Sequence, residues 1–177
     1  MTFVIAQNYL CFFALIEMVV KDASENDISQ EELCEEFGVV VPHNYKTELR
    51  NIRYSSNEND YGVHVTDQII QKYFDDKKID LHVKYIDSTY INEINFGDVL
   101  IDNLNKKRYI IMTYSYGVLY NMNDKYNIGH VALLEKVIDE DRALIYDPGP
   151  DGAGEKVIGI MQMHYAMRRK GGIYIIS

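Results

Sequence analysis

The hydrophobic pattern near the start of the chain predicts a helix that is buried on all sides. From Cys11 the sequence reads CFFALIEMVVKDA, and its apolar residues cover every side of a helical wheel. A helix with this pattern belongs in the middle of a domain. Gln7, Asn8 and Glu17 interrupt the apolar run, which is therefore too short to cross a membrane. We expect a central helix that has Cys11 at its N-terminus.

Four more helices are predicted, two of them from capping signals. Ser29 and Glu32 form a capping box that opens one helix, and Gly38 ends it. Thr66 is placed to cap a second helix. A third has the amphipathic spacing of a surface helix. The four predicted helices cover residues 29–38, 66 to about 74, 96–107 and 157–168.

Strand patterns dominate the C-terminal half of the chain. Two adjacent apolar runs are separated by an acidic turn, which predicts a β-hairpin with Asp139 and Glu140 as a two-residue loop. A polar loop at 121–128 precedes this hairpin, and residues 39–60 are mixed in character with a loop at 55–60. The predicted strands cover residues 79–87, 108–120, 129–139, 142–150 and 171–177.

The order of these elements predicts the fold class. Helices come first along the chain and an antiparallel sheet follows, which is typical of an α+β protein. The 177 residues are enough for one domain with a real core, and 47% of them are hydrophobic. We expect a single domain over residues 1–177, with the buried N-terminal helix packed on the C-terminal antiparallel sheet.

Charge and cysteine content exclude several classes of function. The formal net charge is −9 and the pI is near 5.0, whereas a nucleic-acid surface needs a basic patch. Two cysteines make no disulfide framework, and no Lys or Arg precedes the apolar run as in a secretion signal. We expect a cytoplasmic protein without a nucleic-acid or membrane partner. The histidines and cysteines lack zinc spacing, and the Gly-rich segment 149–154 lacks a phosphate-loop motif, so no metal or cofactor is expected.

The hairpin brings two ionisable residues within reach of each other. His130 begins its first strand and Asp147 ends its second. With a two-residue loop, His130 lies opposite Gly149, and Asp147 is its diagonal neighbour on the same face at ~7–8 Å. A four-residue loop also keeps the two on one face, whereas a three-residue loop separates them. Pro148 favours an extended backbone at Asp147.

These residues suggest nucleophilic chemistry at Cys11. A helix N-terminus and a nearby imidazolium both favour the thiolate, which is the nucleophilic form of a cysteine. A carboxylate such as Asp147 on the other nitrogen of His130 fixes the tautomer. Gln7 precedes the helix, where its amide could donate to a developing oxyanion beside the backbone N–H of Cys11. The candidate catalytic residues are therefore Cys11, His130, Asp147 and Gln7.

This combination resembles a known family. A Gln, a Cys that heads a buried helix, a GH that opens one strand and a YDP that closes the next are the pattern of the papain-like cysteine peptidases. The chain is similar in particular to the double-glycine leader peptidases of bacteriocin export, most clearly over residues 108–177. The resemblance implies that Cys11 is the nucleophile, His130 the base, Asp147 the orienting residue and Gln7 the oxyanion donor.

The chain departs from the family pattern in three respects. Gln7 lies closer to Cys11 than the family motif places it, which makes Asn8 an alternative oxyanion donor. Phe12 stands where the family usually has a Gly after the nucleophile. No transporter segment is attached, so the expected substrate is not a typical leader peptide.

Some relatives of these peptidases form amides instead of hydrolysing them. The chain resembles the butirosin-type and closthioamide-type enzymes of natural-product assembly, which pass an acyl group from a carrier-bound thioester to an amine. The resemblance therefore implies an amide-forming acyltransferase of bacterial natural-product biosynthesis. Its partners would be an acyl or peptidyl carrier protein and a small amine. The alternatives are a cysteine peptidase with water as the acceptor, and a catalytically dead binding module of the same fold.

Each candidate residue also has a purely structural explanation. Cys11 is in an apolar helix, where a cysteine is commonly a small core residue. His130 could be a satisfied strand histidine, and Asp147 could serve only to form a turn before Pro148. Cys34 is expected to belong to the core. The other candidates for the base are His43, His64, His82 and His164.

Overall fold

A computed structural model describes residues 2–120, 128–150 and 152–177, which contain six helices and eight strands. Most of the predicted loop at 121–128 lies outside the described residues. The helices are α1 (Cys11–Ala23), α2 (Gln30–Phe37), α3 (Asp67–Lys77), α4 (Phe96–Asn105), α5 (Tyr116–Leu119) and α6 (Ile160–Lys170). The strands are β1 (Val39–Pro42), β2 (Ile52–Ser55), β3 (Val83–Asp87), β4 (Tyr109–Ser115), β5 (Gly129–Val137), β6 (Arg142–Asp147), β7 (Gly154–Gly159) and β8 (Gly172–Ile176).

Six of the strands form one antiparallel sheet. Their order across the sheet is β3-β8-β4-β5-β6-β7, and each neighbouring pair is antiparallel. Strands β1 and β2 pair in parallel as a separate, two-stranded sheet. The α+β class and the C-terminal antiparallel sheet predicted from the sequence are therefore confirmed.

Helices cover both faces of the large sheet. Ile111 of β4 and Leu133 of β5 belong to the core that α1, α2 and α3 form on one face. Ile110 and Ala132, their neighbours along the same strands, belong to the core formed with α4 and α6 on the other face. Successive side chains of a strand point to opposite faces, so an apolar run in β4 and β5 supplies both cores.

Helix α1 is buried as its sequence pattern predicts. Every residue from 12 to 20 is buried, whereas Cys11 at the N-terminus is half-buried. The one charged residue in this stretch is Glu17, whose carboxylate accepts from Lys21 Nζ at 2.8 Å and from the backbone N–H of Gln30 at 2.8 Å. These partners compensate the carboxylate for the water it loses on burial.

The capping predictions are confirmed at two helices. The side chain of Ser29 accepts from the backbone N–H of Glu32 at 3.1 Å, and Gly38 follows the last turn of α2. Thr66 accepts from the N–H of Ile69 at 3.4 Å and opens α3, which continues beyond the predicted end at Phe74. Within the described ranges, every helix is too short or too polar to cross a membrane.

Several element boundaries differ from the prediction. Residues 157–159 were expected in a helix but belong to β7, because hydrogen bonding to β6 outweighs their local pattern. The predicted strand at 108–120 ends at Ser115, where α5 begins, and β3 covers only the second half of the predicted strand at 79–87. Strands β1 and β2 lie in the stretch described as mixed.

The β5–β6 hairpin does not have the predicted two-residue loop. Val137 pairs with Ala143, and Ile138 N–H donates to the carbonyl of Arg142 at 2.8 Å, so the loop between the paired residues is Asp139 to Asp141. A three-residue loop by itself would put His130 and Asp147 on opposite faces. However, a β-bulge between Leu134 and Lys136 shifts the register by one residue and restores the pairing of Leu133 with Tyr146. Continued to the strand ends, that register returns both side chains to one face.

Candidate active site

The N-terminus of α1 presents Cys11 at the end of the sheet where β5 begins. No side chain caps this helix end, and its first turn contains no acidic residue. The first backbone N–H groups of a helix have no partners within the helix, so these donors face the same region as the thiol. Cys11 therefore lies in the positive field of a helix N-terminus.

The segment before α1 is attached to the end of β6. The backbone N–H of Ala6 donates to the carbonyl of Pro148 at 2.8 Å. The ring of Phe3 stacks on that of Tyr146 with 4.2 Å between centroids. These contacts hold the start of α1, where Cys11 lies, near the end of β6, where Asp147 lies.

Three of the four predicted catalytic residues are brought together. His130 Nε2 lies 2.7 Å from Asp147 Oδ1, and the Cys11 thiol lies close enough to the same imidazole to raise its pKa. An ionised carboxylate only accepts hydrogen bonds, so Nε2 carries a proton and Nδ1 is left for the thiol. The order Cys11, His130, Asp147 is the arrangement in which a carboxylate orients a base and the base activates a nucleophile.

Burial and hydrogen bonding oppose each other at this pair. The His130 side chain is 12% exposed and Asp147 is fully buried. Burial acts to lower the pKa of His130, but its interactions with Asp147, which accepts a hydrogen bond, and with Cys11 outweigh burial and raise that pKa to about 9. Burial also acts to raise the pKa of Asp147, but its interaction with His130 outweighs this and holds the pKa below its usual range. The result favours an imidazolium beside Cys11.

Asp147 has further partners that the sequence did not reveal. Lys156 Nζ lies 2.6 Å from Oδ2, and the backbone N–H of Gly149 donates to Oδ1 at 3.0 Å. The hydroxyl of Tyr120 also donates to Oδ2, at 3.5 Å. In the sequence, Lys156 lies between the Gly-rich segment 149–154 and the predicted helix at 157–168, where no pattern indicates a strand. Its position in β7, opposite Ile145 of β6, is what turns it towards Asp147.

The structure does not bring the Gln7 side chain to the thiol. The Gln7 amide nitrogen donates to Glu31 of α2, and the Gln7 backbone N–H donates to Gln30 Oε1 at 2.8 Å. Asn8, the alternative donor, lines the cleft together with Cys11. The intervening turn directs Gln7 outwards, since Leu10 N–H closes it on the carbonyl of Gln7 at 3.0 Å.

This turn has an unusual backbone conformation. Tyr9 has φ of 70°, a left-handed value that is costly for a bulky residue. Its ring packs edge-on against Tyr45 and Tyr61, with centroid distances of 5.1 Å and 5.8 Å. Aromatic contacts therefore hold a strained residue two positions before the nucleophile candidate, which is where such strain is commonly found in enzymes.

Cys11 and His130 lie in a cleft of ≈ 750 Å³. The turn before α1 lines it, together with Glu58 and Tyr61. The beginning of β5, Tyr116 and Pro150 line it as well. The lining is mostly apolar, and the volume suits several residues of an extended chain or a small molecule of similar size.

The other candidate residues do not line this cleft. His82 is exposed and pairs through its backbone with Ser177 at the end of the sheet. His164 is a buried residue of α6, with Nε2 3.1 Å from the carbonyl of Ile91. His64 Nε2 lies 2.6 Å from the carbonyl of Asp60, and the ring of His43 stacks on Tyr54. Cys34 is a buried core residue whose Sγ is 3.6 Å from the carbonyl of Arg50.

Metal chemistry finds no support in the parts of the chain that are described. No group of three His, Cys, Asp or Glu side chains within them could hold a metal ion. The described groups of the candidate site are a thiol, an imidazole and a carboxylate with its cation.

Comparison with known proteins supports the fold. No model of a protein family and no curated protein matches the chain. A solved structure from Bacillus anthracis, assigned as a C39-like peptidase, is similar with a TM-score of 0.63 and 13% sequence identity. The match covers 99% of this chain and 94% of the other. The chain has a papain-like fold.

Proposed function

We propose that this protein is a cysteine peptidase that forms an acyl-enzyme on Cys11. One observation supports this above all: His130 lies between Cys11 and Asp147 at an open cleft. This is the geometry that nucleophilic catalysis requires, in which the base is next to the nucleophile and a carboxylate on its other side orients it. The fold it shares with the C39-like peptidase agrees with this chemistry.

In the first half of the reaction, the Cys11 thiolate attacks the carbonyl carbon of a peptide bond. The carbonyl electron pair moves to oxygen, and the proposed hydrogen-bond donors to that oxygen are the backbone N–H of Cys11 at the start of α1 and the side chain of Asn8, both of which line the cleft. When the tetrahedral intermediate collapses, the carbon–nitrogen bond breaks and the His130 imidazolium protonates the departing amine. A thioester on Cys11 and a neutral His130 remain.

In the second half, water replaces the departed amine. Neutral His130 takes a proton from the water, whose oxygen attacks the thioester carbon. The thiolate leaves, the acid product is released, and the imidazolium is restored. Asp147 holds His130 in one tautomer through both halves of the cycle.

The amide-forming reaction expected from the sequence has the same acyl-enzyme and differs only in the second nucleophile. An amine then attacks the thioester in place of water. The comparison favours the peptidase alternative over this main expectation, since the similar structure is assigned as a peptidase. Amine transfer, with an acyl or peptidyl carrier protein as donor partner, stays a prediction that the same assay tests.

The first test is the reactivity of the thiol. Intact-protein mass is followed during incubation with iodoacetamide at about pH 6, where an ordinary thiol with a pKa near 8.5 is almost fully protonated. We expect one fast adduct in the wild type, its loss in Cys11→Ala and a large slowing in His130→Ala. Cys34→Ala is the matched control, because it removes the chain's other cysteine from the core and is expected to leave the fast adduct unchanged.

A slow adduct that is unaffected by the Cys11 and His130 substitutions would show that Cys11 is core packing. The protein would then be the non-catalytic binding module. If the fast adduct is found, peptide pools are incubated with and without a simple primary amine. Acid products in both incubations support the peptidase, whereas amide products without acid would replace it by the acyltransferase.

A further inference from the structure

Lys156 makes the closest contact to the oxygen of Asp147 that His130 does not use. Lys156 Nζ is 2.6 Å from Oδ2, while His130 Nε2 is 2.7 Å from Oδ1. The register explains the contact. Asp147 pairs with Gly154, and Lys156 lies two residues along β7, which makes it a diagonal neighbour on the same face of the sheet.

The surroundings hold the Lys156 ammonium in place. Its side chain is 26% exposed, and its Nζ lies 5.2 Å from the ring centroid of Tyr120. Tyr120 also donates a hydrogen bond to Asp147, so lysine and tyrosine enclose the same carboxylate oxygen. A buried carboxylate is tolerated only when paired, and here each of its two oxygens has a cationic or ionisable partner.

We infer that Lys156 is a positioning residue of the proposed reaction, and that its ammonium balances the charge of Asp147 so that the Cys11 thiolate and the His130 imidazolium can form in a site without net charge. The inference rests on the proposed function for the role of Cys11. Thiolate and carboxylate contribute two negative charges, and imidazolium and ammonium contribute two positive ones. Without Lys156 the buried group would have a net negative charge.

The consequence for His130 has a definite sign. Removal of the Lys156 ammonium leaves Asp147 to interact with His130 alone, which stabilises the imidazolium and raises the pKa of His130. An imidazolium that is too stable gives up its proton reluctantly, so the step in which it protonates the departing amine becomes slower. Removal of the Asp147 charge has the opposite effect, since an ammonium then faces the imidazolium without an intervening carboxylate.

Other titratable groups among the described residues also lie near His130. The rings of Tyr114 from β4 and Tyr116 from α5 pack edge-on against the imidazole, with centroid distances of 5.7 Å and 5.3 Å. Burial raises the pKa of Tyr114 well above its ordinary value, so it stays neutral in the range of interest. Glu58 lines the same cleft as His130. Cys11 also acts on the imidazole, and the experiment therefore removes its thiol.

The test is an NMR titration of His130 in the Cys11→Ala background, with and without Lys156→Met. We expect the pKa of His130 to rise by roughly one unit when the ammonium is lost, which is the size of effect that a neighbouring charge has at a buried site. Lys156→Arg keeps the charge and is expected to leave the pKa unchanged. Lys106→Met is the matched control, because it removes a remote lysine that pairs with Asp102 on the surface.

Two further variants separate charge from hydrogen bonding and from folding defects. Lys156→Gln keeps a donor without the charge and is expected to raise the pKa of His130 as Lys156→Met does. In the pair Asp147→Asn and Lys156→Met, the two opposite shifts are expected to offset each other, so the double variant lies between the single ones. A His130 pKa that is the same in wild type, Lys156→Met and Lys156→Gln would overturn the inference.

This experiment is independent of the proposed function because no catalysis is measured. If the pKa of His130 changes when Lys156 is replaced but Cys11 in the wild-type protein shows no fast alkylation, the inferred charge balance stands and the proposed peptidase fails. If alkylation is fast but the pKa of His130 does not change when Lys156 is replaced, the proposed peptidase stands and the inferred role of Lys156 fails.

Discussion

Replacement of His130 by Gln is expected to remove a pH-dependent part of the free energy of unfolding. The pKa of His130 is raised from 6.5 to about 9 by its buried contacts with Asp147 and Cys11. One pKa unit corresponds to about 1.4 kcal/mol, so this shift stabilises the folded state by up to about 3 kcal/mol. Because the folded-state pKa is the higher one, the contribution is complete below pH 6.5 and is lost as the pH rises through 9.

The measurement is urea denaturation, followed by circular dichroism because the chain has no Trp. Wild type is compared with His130→Gln in steps from about pH 6 to 10. The difference in unfolding free energy is expected to be largest at the acid end and to shrink by up to about 3 kcal/mol at the alkaline end. Cys11→Ala keeps the pair between His130 and Asp147. Its difference from wild type in unfolding free energy is also expected to shrink as the pH rises, but by less than that of His130→Gln. A difference that is constant or grows with pH would refute the reasoning.

Three further outcomes are expected. Asn8→Ala should slow acyl-enzyme formation by roughly 10²-fold, as the loss of an oxyanion donor does, while Gln7→Ala should leave it unchanged, and stopped-flow acylation would measure both. Phe13→Ala should lower the free energy of unfolding in urea by about 3–5 kcal/mol, because Phe13 is fully buried under the sheet. Gly172→Ala should destabilise by more than about 2 kcal/mol in the same assay, since its Cβ would lie 2.2 Å from the carbonyl of Ile86. Its control is Gly97→Ala, where the added methyl meets no atom within 4 Å and a helix interior favours Ala. Equal effects of Asn8→Ala and Gln7→Ala, or of Gly172→Ala and Gly97→Ala, would contradict the corresponding structural argument.

Local signals in the sequence account for the parts of the fold that could be predicted. The all-round apolar pattern of residues 12–20 identifies α1 as the central helix, and Ser29 and Thr66 identify the starts of α2 and α3. His130 and Asp147 stand at the expected ends of two neighbouring strands. Each of these signals depends on residues within a few positions of one another, so the sequence alone expresses it.

The hairpin shows where local reasoning stops. The sequence predicted the neighbourhood of His130 and Asp147 through a two-residue loop, whereas the structure reaches it through a longer loop and a β-bulge. The acidic turn does not indicate a bulge several residues away. The longer loop and the β-bulge each shift the register by one residue, and the two shifts cancel. For that reason an incorrect loop prediction led to the correct juxtaposition of His130 and Asp147.

The sequence by itself determined the central helix, the strands that hold His130 and Asp147, and the type of chemistry that Cys11 could perform. Only the tertiary structure decided that Lys156 meets Asp147 and that Asn8, rather than Gln7, faces the cleft. Side-chain neighbours across a sheet depend on pairing between distant segments, and the direction of Gln7 depends on a strained turn and on contacts with α2. Such contacts are set by the packing of the whole chain, which no short stretch of sequence encodes.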